Sequence, residues 1–280
     1  MRADGKKIKK TDPMYLIAPY IMKQRSDSMN MITLDIPIDP IQSYINAKRK
    51  EGISISHMAV ILSAYLRTAA EFPMLNRFVV NSKIYARNEF AVGMVVLKGG
   101  VLDHGTMSKM YFDPKNTIFE VNDIINKYVD DNRNNPESNG TEKIMKILLA
   151  IPGVMPLGVA ILRGLDRFGL LPKAVIDMSP FHMSLGITNL ASIRTNHIFH
   201  HCYNFGTTSI FFAMGQKEEK LKMDKDGNVY KKYVMPLGVV TDERICSGAD
   251  YAHGLYIMEK YLKNPELLEN KIEEKETVSV

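Results

Sequence analysis

A chain of 280 residues, 45% hydrophobic and 24% charged, is long enough to bury a large core, which excludes disorder or a coiled coil as a description of the whole. Its net charge of +5 is unevenly placed: Arg2, Lys6, Lys7, Lys9 and Lys10 face Asp4 alone within the first ten residues, and this segment carries +4. The remainder is near neutral and has no basic stripe interleaved with stacking aromatics, so no nucleic-acid partner is expected and residues 1–12 read as a flexible, solvated basic tail.

The apolar stretch MYLIAPYIM contains a proline, lacks a small-residue cleavage site and runs into Lys23 and Arg25, so it does not read as a signal peptide. With two cysteines, Cys202 and Cys246, a reduced cytoplasmic setting with free thiols is expected. MITLDIPI alternates as a strand, and PIQSYINAKRKEG reads as a helix stopped by Gly52. Ser56 is placed to cap the strongly apolar helix HMAVILSAYLRTAAEF, which ends before Pro73.

KIYARNEFAVGMVVL predicts two strands joined around Arg87 and Asn88, NTIFEVNDIINKYVDD predicts a helix, and DNRNNPESNGTE predicts a loop. ILLAIPGVMPLGVAIL is uncharged but shorter than the ~20 residues of a spanning helix and is broken by two prolines. It reads as a buried or interface-covering helical pair, with a surface that meets lipid or a long acyl chain as the second reading. Strand signals resume at MSLGITNL and TSIFFAMG. A hairpin turning at Asp226-Gly227 then leads through VMPLGVVTD to a final helix carrying Leu255, Met258, Tyr261 and Leu262, with Pro265 beyond its end. One α+β domain spanning residues 13–268 is expected, followed by a flexible tail over 269–280.

His197, His200, His201 and Cys202 form the densest group of candidate ligands. In a strand, His200 and His201 would point to opposite faces, so neither a closed metal site nor a Cys-His nucleophile is expected there. His182 reads as a hydrogen-bonded histidine at a strand entrance. His57 falls in the first turn of a helix and His104 in a turn.

Three stretches together resemble the catalytic domain of the 2-oxo acid dehydrogenase acyltransferases, relatives of chloramphenicol acetyltransferase. ISISHMAVILSAYLRTAAEFPMLNRFV carries Pro73, Leu75 and Asn76 like that family's P-x-L-N turn. SLGITNLASI resembles its T-x-S-N-L-G strand and includes Thr188 and Asn189, and DERICSGADYAHGLYIMEKYLKNPELL resembles its D-H-R-x-x-D-G-A corner. The resemblance covers about residues 13–130 and 177–268. It implies a coenzyme A-dependent acyltransferase two-layer sandwich with a mostly helical apolar insertion over about 131–176. It also implies a homotrimer with active sites between subunits, acyl-CoA as a small-molecule substrate and no metal.

In that family a histidine of the corner is the general base, and a serine or threonine hydroxyl steadies the oxyanion. Thr188 stands at the hydroxyl position, and Asp242, Arg244 and Gly248 match the corner. The histidine is replaced by Glu243 and the second aspartate by Ser247. Arg25 matches an arginine that braces the corner and is also a possible partner for Glu243. The base is then either Glu243, whose carboxyl would have to rise by about three pKa units, or a histidine from elsewhere, His200 or His201. The alternatives to an active acyltransferase are a catalytically inactive trimer with a binding or scaffolding role and, least supported, a protein docked on a membrane by its tail and insertion.

Overall fold

The computed structural model describes residues 2–9, 11–97, 105–134 and 153–272. His104, residues 135–152 of the loop and apolar segment, and the terminal residues 273–280 lie outside them. Among the described residues ten strands make two sheets, and seven α-helices accompany them. The small one is antiparallel and orders β1 (Gly5–Lys7), β4 (Lys83–Arg87) and β3 (Arg77–Val80). The large one has seven strands. They run in the order β2 (Met29–Pro37), β10 (Val229–Asp242), β8 (Ile210–Met214), β7 (Leu185–Asn189), β5 (Phe90–Leu97) and β6 (Gly105–Phe112), and β9 (Glu218–Met223) pairs with the first half of β10. At its centre β7 runs parallel to both β5 and β8.

Alternation along these strands divides the sheet into two faces. Val92, Leu185, Ile187, Ile210, Phe212, Leu237 and Val239 point to the main core under α2 (Ile38–Lys50), α3 (His57–Glu71), α4 (Ile118–Asn134) and α7 (Gly248–Lys263). The almost uniformly apolar α3 is buried from Met58 to Ala69 and starts where Ser56 Oγ accepts from Ala59 N at 3.1 Å. Its end at Glu71 follows from Pro73, which opens a short 3₁₀ turn instead. Gly52 stops α2 with a φ of +82°, a conformation that suits glycine.

The opposite face carries Ala91, Phe211 and Val240, which form a smaller cluster with Met183 and Cys202. Two loop segments, around Phe181 and from Thr195 to Thr208, lie across it. They are held by Thr207 N and Thr208 Oγ1, which donate to the Phe181 carbonyl at 2.8 and 3.0 Å, and by Gln216 N, which donates to the Thr195 carbonyl. Gly238 permits the closest crossing, because a Cβ there would stand 2.1 Å from the Ile198 carbonyl oxygen. The histidine-rich stretch is therefore a strap laid over the sheet and not a strand.

The N-terminal residues differ most from expectation. Read as a solvated tail, they instead supply β1, and Asp12 caps α1 (Pro13–Ile21) by accepting from Met14 N at 2.8 Å. Arg2 accounts for this: it is 7% exposed and bridges Asp4 (2.8 Å) and Asp166 (2.7 Å) while lying over the Phe78 and Tyr85 rings. At the other end, Asn270 accepts from Arg67 through its carbonyl and Glu269 pairs with Lys48 at 3.0 Å, so the start of the presumed C-terminal tail is packed. Asp131 to Asn134, read as loop, are the last turn of α4. The described part of the apolar insertion is helical, with α5 (Val154–Phe168) followed by α6 (Lys173–Met178). Among the described residues no helix is long and apolar enough to cross a membrane.

Candidate active site

At the end of β10 the chain turns through Glu243, Arg244, Ile245 and Cys246 into α7. Asp242 is fully buried and anchors this corner. Arg244 donates Nε to Oδ1 at 2.8 Å and Nη2 to Oδ2 at 2.7 Å, a two-point pair that also fixes the turn through Arg244 N. Ser28 Oγ donates to Asp242 Oδ1 at 2.9 Å, and Tyr251 OH to the Asp242 carbonyl at 2.8 Å. Arg25 completes the cluster with Nε 3.7 Å from Oδ2 and with its Nη groups donating to the Tyr203 and Val79 carbonyls. Burial lowers the Arg25 pKa, against the raising pull of Asp242.

Glu243 points the other way. Its side chain is exposed and makes no hydrogen bond or ion pair among the described residues, so the pairing with Arg25 considered from the sequence is replaced by Arg25–Asp242. Ser247 is the N-cap of α7: its Oγ accepts from Asp250 N at 3.1 Å, and Asp250 Oδ2 accepts from Ser247 N at 2.9 Å. A Cβ on Gly248 would meet nothing within 4 Å, so packing within one subunit does not explain that glycine.

Thr188 is half-buried on the strap-covered face of β7. It pairs with Ala213, and Ala213 with Gly238. Glu243 lies five residues beyond Gly238, ~16 Å along the strand, and two strand spacings add ~10 Å across. Within one subunit Thr188 and Glu243 are therefore roughly 19 Å apart. Asn189, next to Thr188, has a buried side-chain oxygen without a partner, and its carbonyl accepts from Ser192 Oγ at 2.7 Å.

His197 lies in the cross-strand row of Thr188 but strands away, with Nε2 3.1 Å from Thr33 Oγ1 and Cδ2 3.4 Å from where a Cβ on Gly238 would stand, whereas His200 lies closer to β7. Its ring stacks on Phe211 at 3.9 Å between centroids and 10° between planes. Phe211 leans over β7, since a Cβ on Gly186 would stand 2.3 Å from its ring. Gly186 is two residues before Thr188 on the same face, so the imidazole lies over a point ~7 Å along the strand from the threonine. His200 Nδ1 is 3.0 Å from the His201 carbonyl; a carbonyl only accepts, so Nδ1 carries the proton and Nε2 is the free acceptor. Burial lowers the His200 pKa, with the His201 carbonyl pulling the other way. His201 is exposed and stacked against His200 at 5.1 Å.

Both cysteines are free, buried thiols. Burial pushes the Cys202 thiol up to about 12, and Cys246 likewise to about 12. Among the described residues no group of three or more His, Cys, Asp and Glu is placed to hold a metal ion. Ser28 and Tyr251, both essential to the corner's hydrogen bonding, carry no local sequence signal, because each reaches Asp242 through the tertiary fold or the turn of α7.

Residues 183–269 match the family model described as 2-oxoacid dehydrogenases acyltransferase (catalytic domain). A probable dihydrolipoamide acetyltransferase from Listeria monocytogenes 4b F2365 superposes with a TM-score of 0.58 at 15% identity, over 98% of this chain and 97% of that one. The fold is that of the 2-oxo acid dehydrogenase acyltransferase catalytic domain. The truncated catalytic core of the 2-oxoacid dehydrogenase multienzyme complex from Thermoplasma acidophilum shares this acyltransferase fold at a TM-score of 0.56 and 12% identity, over 93% and 99% of the two chains. A chloramphenicol acetyltransferase does so at 0.54 and 10%, over 94% and 99%. Among curated proteins no sequence matches.

Proposed function

We propose that the protein is an acyl-CoA-dependent acyltransferase in which Thr188 and His200 carry the chemistry on one face of the sheet. The observation that carries this reading is the stacking of His200 on Phe211, with Nδ1 bonded to a carbonyl and Nε2 free on the face that presents Thr188. His200 Nε2 removes the proton from a thiol or hydroxyl acceptor. The acceptor's sulfur or oxygen then attacks the thioester carbonyl carbon. Thr188 Oγ–H donates to the oxygen as it becomes negative. Collapse breaks the carbon–sulfur bond, and the departing coenzyme A thiolate takes the proton back from His200. A thiol with an ordinary pKa of ~8.5 is well matched to a base titrating near neutrality.

The account assigns the corner to architecture. Asp242, Arg244 and Arg25 hold the start of α7, Ser247 caps it, and Glu243 takes no part within its own subunit. We place the protein in the cytoplasm as a homotrimer with the active sites between subunits, as the family resemblance implies. Analytical ultracentrifugation giving three times the 31.7 kDa chain mass supports the trimer, and a monomer mass rejects it.

Acetyl-CoA offered with a panel of small thiol and alcohol acceptors tests the reaction. Coenzyme A release above the acceptor-free background is expected, falling about 10²–10³-fold in Thr188→Val. A second reading, a silent member of the fold kept for binding, is favoured by the exposed, unpartnered Glu243 where the family has its base. It gains the ground if no acceptor raises release above background.

A further inference from the structure

Helix α5 presents an apolar stripe to solvent. Leu157 is 63% exposed, Ile161 54% and Phe168 71%, with Leu170 just beyond the helix at 67%. At 3.6 residues per turn, positions 157, 161, 164 and 168 fall in one sector of about 60°. On the opposite side of the helix, Asp166 is buried. Gly164 leaves the middle of the stripe flat, with nothing within 4 Å of where a Cβ would stand. A stripe of this kind on a surface helix marks a contact surface more often than chance exposure.

The surroundings of the stripe are basic. Arg163 and Arg167, one turn apart, flank it on one side, and Arg167 Nε donates to Asn81 Oδ1 at 3.0 Å, joining the helix to the β3–β4 turn. At that turn stands the exposed Lys83. β1 runs alongside β4, pairing Lys7 with Tyr85, and it brings the exposed Lys7 and Lys9 to the same end of the small sheet. Among the described residues, Asp166 and Asp4 nearby are both paired with Arg2. Arg2 ties the start of this basic segment to α5 through the Asp166 carboxylate and carbonyl.

An exposed apolar stripe edged by arginine and lysine has the composition of a helix lying in a membrane interface, with its apolar side in the acyl boundary and its cations at the headgroups. We infer that α5, with the basic edge formed by β1 and the β3–β4 turn, is a docking surface for an anionic lipid bilayer. A nucleic acid would match the charge but leave the stripe uncovered. The inference stands independently of the acyl-transfer reading, since none of these residues touches the Thr188 face.

Flotation with vesicles of phosphatidylcholine, alone or mixed with phosphatidylglycerol, tests it on the full chain. The protein is expected to float with the anionic vesicles and not with pure phosphatidylcholine, and raising the salt to about 0.5 M is expected to weaken binding severalfold. Ile161→Asp and Arg163→Glu both lie on the exposed side, and each is expected to reduce the bound fraction at least tenfold while leaving the thermal midpoint unchanged. No flotation of the parent, or flotation unchanged by Ile161→Asp, overturns the inference. A drop in oligomer mass for Ile161→Asp by light scattering also overturns it, because the face would then be a contact between copies of this chain.

Discussion

Arg244 and Asp242, two residues apart, close on each other through two parallel hydrogen bonds of 2.8 and 2.7 Å, and neither is more than 3% exposed. Arg25 adds a second buried cation beside the same carboxylate. Asp242→Asn keeps the shape but leaves both guanidinium groups without a counter-charge. A loss of about 3–5 kcal/mol is expected, read as a fall in the urea midpoint without a change in slope. A loss below ~1 kcal/mol would mean that the pair is not an anchor.

Ser247 separates a capping role from a catalytic one. Ser247→Ala removes the acceptor for Asp250 N, and a loss of about 1 kcal/mol in stability is expected. The same variant is expected to keep its turnover number at temperatures where it stays folded. A drop of tenfold or more in turnover with unchanged stability would assign Ser247 to the chemistry instead.

The cluster of Arg2, Asp4, Asp166 and His182 predicts a pH dependence. Burial lowers the His182 pKa below its ordinary 6.5 and outweighs the pull of Asp166, which lies 3.3 Å from Nε2 at an angle short of a hydrogen bond. Ser179 Oγ meets Nδ1 at 2.7 Å. Burial works against ionised Asp166, but His182 and Arg2 prevail and hold its carboxyl below the usual value. As pH falls below about 6.5 the unfolded His182 takes up a proton that the folded one refuses, so stability is highest above that pH and declines beneath it. The Asp166 contribution is present above about 4 and disappears as pH falls through its lower folded value. Urea midpoints between about pH 5 and 7.5 should therefore slope upward, and His182→Gln should flatten that slope by at most ~1.4 kcal/mol per pH unit. An unchanged slope in the variant would mean that His182 takes up its proton equally in both states.

Much of the frame is legible in the sequence. Ser56, Pro73, Gly52 and the Asp226-Gly227 turn set element boundaries through local geometry, and these appear where expected. The corner is legible too, because Asp242 and Arg244 are close in sequence and their pairing is local. The site is less so. His200 is laid over the Thr188 face by a strap that crosses the sheet at Gly238 and packs on Phe211, a path that no local sequence pattern announces. The basic tail misled for a similar reason: charge composition predicts solvation, whereas Arg2 finds Asp166 far along the chain and folds the segment down.

The central claim is that the base of this acyltransferase fold has moved from the corner to the strap. The most direct measurement is kcat/KM for coenzyme A release, with the acceptor that gives most turnover, in His200→Gln and Glu243→Gln side by side. His200→Gln is expected to fall about 10²–10⁴-fold, and Glu243→Gln to stay within about twofold of the parent. A collapse in Glu243→Gln with His200→Gln unaffected would contradict the account and return the base to the corner, serving an acceptor held beside Thr188 of a neighbouring subunit.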